Sequence, residues 1–70
     1  MKAVKTEMAG TILELKVSEG ATVSAGQELV IMESMKMEVP ITSPSAGKVA
    51  KIAKQVGDFA NAGDTLIEIA

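Results

Sequence analysis

Apolar and polar positions alternate along this chain in short bursts, and glycine separates the bursts. Leu66-Ile67-Glu68-Ile69-Ala70 shows the pattern clearly, with β-branched residues on a two-residue period. The bursts come in a matched order. Residues 9–33, AGTILELKVSEGATVSAGQELVIME, align without a gap on residues 46–70, AGKVAKIAKQVGDFANAGDTLIEIA. Ala9, Gly10, Gly20, Ala25, Gly26 and Leu29 fall on Ala46, Gly47, Gly57, Ala62, Gly63 and Leu66. Ile12/Val49 and Leu15/Ile52 keep their apolar character. Each half therefore reads as glycine, strand, glycine turn, short bridge, Ala-Gly turn and second strand. Glycine suits these breaks because it accepts positive φ and close backbone approach.

Strands punctuated at this spacing predict an all-β sandwich or flattened barrel. The two matched halves predict quasi-two-fold internal symmetry around one shared core. Residues 1–70 read as one domain with no linker or low-complexity tract, and Met1–Met8 as an added edge strand.

The segment between the halves, Leu29–Thr42, has two readings. Met, Glu and Lys favour helix, and Leu29, Met32, Met35 and Val39 fall at helical spacing. Against this, Pro40 stops a helix early, and the matching stretch after Leu66 is strand-like. A hairpin with Met35-Lys36 as its two-residue loop sets Ser34 opposite Met37, Met32 opposite Val39 and Val30 opposite Ile41. That face is nearly all apolar and points Met37 inward; a slip of one residue destroys the match. The other face opposes Glu33 to Glu38, a mildly unfavourable pair. Two-residue hairpins favour Asn-Gly or glycine-rich loops because both positions need positive φ. Met-Lys is a poor turn on stability grounds, which points to a functional constraint at the tip.

Composition narrows the chemistry. The chain has 70 residues, 47% of them hydrophobic, with neither Cys nor His. Disulfides and structural metal sites are thus unavailable, and the core is expected from Val, Ile, Leu, Met and Ala, with Phe59 the only aromatic. A formal charge of -2 and the lack of stacking aromatics argue against a nucleic-acid partner. The longest apolar run, Leu29–Met32, falls far short of the ~20 residues a membrane helix needs. No apolar stretch follows Met1-Lys2-Ala3-Val4-Lys5, so no leader is predicted and a soluble, cytoplasmic protein is expected. No spacing matches a nucleophile elbow or phosphate loop, and an enzyme in its own right is not expected.

Attention then falls on Lys36, at a turn position where lysine gives no structural benefit, between two methionines and between the two repeats. Soft, adaptable Met at an exposed edge suits contact with a partner. Glu33-Ser34-Met35-Lys36-Met37-Glu38 resembles the biotinylation motif of biotin carboxyl carrier domains. The likeness extends through the glycine turns, Pro44 and the lysine-bearing hairpin, and is closest to the short biotin/lipoyl attachment proteins. It departs at Ser34, where most carboxylase carriers have Ala.

The resemblance implies a flattened β-barrel of two four-stranded sheets with biotin joined covalently to Lys36. It implies flanking recognition by Met35 and Met37, and ligase recognition by Glu33, Ser34 and Glu38. The implied partners are a biotin protein ligase, which forms the amide, and then a biotin carboxylase and a carboxyltransferase, between which the biotin carries carboxylate. Lipoyl domains are similar but usually place an acidic residue just before the lysine, where this chain has Met35. The alternatives are a lipoyl carrier of an acyl-transfer complex and an unmodified interaction domain of the same fold.

Overall fold

The alternating bursts fold as eight strands: β1 (Lys2–Lys5), β2 (Gly10–Leu15), β3 (Thr22–Val23), β4 (Glu28–Ser34), β5 (Met37–Thr42), β6 (Gly47–Ile52), β7 (Phe59–Ala60) and β8 (Thr65–Ile69). They are seen in a computed structural model that describes residues 1–70. Two antiparallel four-stranded sheets result, in the orders β1-β8-β6-β3 and β5-β4-β2-β7. The helical reading of Leu29–Thr42 is thereby excluded. Pro40, which has no N–H to donate, sits in β5 at a sheet edge, where a strand tolerates it.

The repeat is a physical symmetry. Gly20 N–H donates to the Val49 carbonyl and Gly57 N–H to the Ile12 carbonyl, both at 2.8 Å. Lys16 N–H to Leu29 and Ala53 N–H to Leu66 form a second matched pair, again at 2.8 Å. The core follows the same rule. Ile12, Val23, Leu29, Val30 and Met32 are buried, and so are their mates Val49, Ala60, Leu66, Ile67 and Ile69. Full burial of such aliphatic side chains contributes about 1.5–3 kcal/mol each, the main cohesive term in a chain without disulfides.

The symmetry runs further than the aligned sequences. Gly26 N–H donates to the Ser43 carbonyl at 2.8 Å, and Gly63 N–H to the Thr6 carbonyl at 2.7 Å. Thr6 and Ser43 are buried mates, and each hydroxyl donates to a carbonyl two residues on, those of Met8 and Ser45. β1 is therefore an edge strand as expected, but not an addition: it is the counterpart of β5. Each sheet takes its central pair from one half and its edge strands from the other, so the halves interlock.

Phe59 corrects an expectation. It lies outside the core, 58% exposed, because on the two-residue β7 it is Ala60 that points inward.

Candidate functional site

β4 and β5 pair in the register that the hydrophobic pattern requires: Val30 with Ile41, Met32 with Val39, Glu33 with Glu38 and Ser34 with Met37. Only Met35 and Lys36 remain for the turn. Their φ angles are 54° and 64°, and no other non-glycine residue of the chain is left-handed. This is the backbone of the primed hairpin turn, which glycine and asparagine normally occupy. An L-residue held there costs roughly 1–2 kcal/mol. The fold's four remaining positive-φ positions are all glycine. The tip alone keeps side chains where the backbone would prefer none.

Those side chains project outward. Lys36 is exposed, and neither ion pair of the molecule, Lys16–Glu14 or Lys54–Asp64, involves it. Met35 is 92% exposed. Met37, expected inward from its register, is 67% exposed. The cause is overhang: the core-facing row of the hairpin ends with Met32 and Val39, and the next pair, Ser34 and Met37, extends past the sandwich. Covering one methionine with a partner surface is worth about 1.5–3 kcal/mol, so both are suited to transient contact.

The base of the hairpin is fixed. The Ser34 hydroxyl donates to the Ala9 carbonyl at 2.8 Å, turning this side chain toward the body of the protein. Beside it the chain at Gly10 passes so close to β4 that a Cβ would overlap the Glu33 carbonyl oxygen. Glu33 and Glu38 sit directly opposite each other on the outer face, exposed and without a cationic partner. The six residues singled out from sequence thus gather on one hairpin, with Ser34 supporting the bend and the other five at or around it. Ala9 and Gly10 were not among them. Their signal was the position of Gly10 at the start of a strand, where a close approach rather than a turn requires glycine.

Chemically, the arrangement offers one free primary amine on a bend that is stiff below it and open around it. Lys36 is exposed and unpaired, so its amine is open to acylation. No other group is placed to act on it, so activation must come from a visiting enzyme.

Residues 2–69 match the family model described as "Biotin-requiring enzyme". The chain is 44% identical over 66 residues to the biotin/lipoyl attachment protein of Bacillus subtilis, covering 94% of this chain and 90% of that one. It is 51% identical over 63 residues to the biotin carboxyl carrier protein of Streptococcus mutans, covering 90% of this chain and 48% of that protein. Among solved structures, the Kluyveromyces lactis urea carboxylase superposes on 99% of this chain with a TM-score of 0.93 and 32% identity, the match spanning 6% of that enzyme.

Proposed function

The chain belongs to the biotin-requiring enzyme family, and on that footing we propose that Lys36 is the residue that carries its biotin. The domain is a biotin carrier, homologous to biotin carboxyl carrier proteins and to the biotinyl domains of carboxylases. The observation that carries the lysine assignment is the tip itself: two consecutive left-handed residues, neither of them glycine, presenting an unpaired amine. A purely structural hairpin would use Asn-Gly there.

Bound biotin supplies a ring nitrogen that accepts and releases carboxylate. The residues of this chain supply position. In the loading step a biotin protein ligase presents biotin as an activated acyl group, takes the proton from Lys36 Nζ, and the amine displaces the activating group to form an amide. Met35 and Met37 give the ligase apolar contacts on both sides of the amine, and Glu33 and Glu38 give it an acidic landmark. Ser34 holds the hairpin to Ala9, so the tip meets every enzyme with the same geometry. The sandwich then brings the arm to a biotin carboxylase and to a carboxyltransferase, and does no bond chemistry itself. Tethering converts each visit into a local event at high effective concentration. Met35 supports biotin over lipoate, because the position before the lysine lacks the acidic residue usual in lipoyl domains.

The test is Lys36→Arg, treated with biotin protein ligase, biotin and ATP beside the wild type. Intact mass should show one biotinyl group on the wild type and none on the variant, with the same melting temperature. Biotin elsewhere on the chain, or a lipoyl group on Lys36 in protein from the host, would remove the reading.

A further inference from the structure

We propose that the outer face of the β5-β4-β2-β7 sheet is a docking surface for the biotin carboxylase that the loaded carrier visits; this rests on Lys36 being biotinylated. Cross-strand partners share a face, so the pairings Phe59 with Thr11, Thr11 with Glu33 and Glu33 with Glu38 lay one row across all four strands. The row spans roughly 14 Å at the usual strand spacing and ends one residue pair short of the Met35-Lys36 turn. Beside it lie Leu13, the extra residue of a bulge in β2, and Val56, which precedes the Gly57 N–H bonded to Ile12. Leu13, Val56 and Phe59 are 38%, 59% and 58% exposed.

The internal symmetry supplies a control for what the fold itself needs. The mates of Phe59, Leu13 and Val56 are Thr22, Ala50 and Glu19, all exposed at equivalent places in the other sheet. The mates of Thr11 and Glu14 are Lys48 and Lys51. The same backbone therefore folds with small, polar or charged residues at every one of these positions. The sheet that carries Lys36 has apolar residues at the places of Thr22, Ala50 and Glu19, and Thr11 and Glu14 at the places of two lysines. The difference is not required by packing, and it lies on the sheet whose β4–β5 hairpin carries the amine.

Charge defines the partner. Glu33 and Glu38 have no ion pair, and Glu14 reaches Lys16 only at 4.0 Å. Lys36 is the one cation on the hairpin, and conversion of its amine to an amide removes that charge. Loading makes this end more negative, so a partner with an aliphatic shelf rimmed by Lys or Arg gains attraction for the loaded carrier in particular. That favours an enzyme acting after the ligase, of which the biotin carboxylase is the first to meet the loaded carrier. A second copy of this chain is a poor occupant, since it would bring carboxylates against carboxylates.

The experiment exchanges residues for their symmetry mates. Phe59→Thr with Leu13→Ala removes two of the three apolar side chains of the patch, and Glu14→Lys reverses one rim charge. Biotinylated wild type and variants serve as substrates for the host's biotin carboxylase with ATP and bicarbonate, and unmodified forms for the ligase. Both variants should raise KM for the carboxylase at least tenfold with kcat nearly unchanged, leave ligase kcat/KM within about twofold, and melt within a few degrees of wild type. An unchanged carboxylase KM overturns the proposal. So does an equal loss at the ligase step, which would make the face a ligase site, or self-association of wild type abolished by Phe59→Thr, which would make the occupant a second copy. A wild type that takes no biotin at all would instead refute the carrier reading on which this rests.

Discussion

The Ser34 hydroxyl donates a 2.8 Å hydrogen bond to the carbonyl oxygen of Ala9, twenty-five positions earlier in the chain. This bond joins the overhanging end of the β4–β5 hairpin to the loop that enters β2. It is half-exposed, so its net worth lies at the lower end of the usual 0.5–1.5 kcal/mol. Ser34→Ala should lower the melting temperature by a few degrees, about what such an energy produces in a domain of this size. Biotin loading should fall less than threefold, because the tip chemistry is untouched. Calorimetry and a ligase time course check both.

The turn itself should trade stability against modification. Lys36→Gly relieves a left-handed side chain and should stabilise the fold by about 0.5–1 kcal/mol, the relief being partly offset by glycine's larger unfolded entropy. Met35→Asn should stabilise to a similar degree. Lys36→Gly should abolish biotinylation, and Met35→Asn should slow it through lost apolar contact. Denaturant melts that showed either variant less stable than wild type would count against a turn selected for function.

Symmetry separates fold from function at the glycines. A Cβ at Gly10 would overlap the Glu33 carbonyl oxygen, and one at Gly47 would meet the Ala70 carbonyl oxygen at 2.5 Å and Ile69 Cγ2 at 2.6 Å. Gly10→Ala and Gly47→Ala should each destabilise by about 1–3 kcal/mol, the usual cost of forcing atoms into packed space. Only Gly10→Ala moves β4 beneath the lysine, so it alone should slow loading by the ligase at temperatures where both variants are folded. Matched melts with parallel ligase assays would show whether the losses divide this way.

Met35→Glu places a carboxylate beside the amine without altering the left-handed backbone requirement. Labelling by a purified biotin ligase should drop at least tenfold while the melting temperature stays close to wild type. Undiminished labelling would show that this position does not read biotin against lipoate.

Much of this was legible in the sequence because hydrophobic period and glycine position constrain each other. A one-residue slip of the hairpin would expose Val30 and Met32, so the register could be deduced, and with it the two residues left for the turn. The kinship of β1 with β5 could not be read. Lys2–Lys5 and Val39–Thr42 share no identity, and their equivalence resides in backbone bonds at Thr6 and Ser43 that many residues could make. Met37 is exposed against its register because pairing fixes a face but not where the opposing sheet ends. Phe59 faces outward although it is the chain's one aromatic, and its polar mate Thr22 is exposed at the same place in the repeat.

The interlocking of the halves bears on proteolysis. Trypsin cuts after unmodified lysine, and the bond between Lys36 and Met37 lies at an exposed bend. A cut there would sever no rung of either sheet, and the two pieces would stay clasped, each supplying the other's outer strands. Once the amine is capped as an amide that bond ceases to be a substrate. The carried group would then shield the bend that bears it, and a nicked yet still folded population would measure the fraction never loaded.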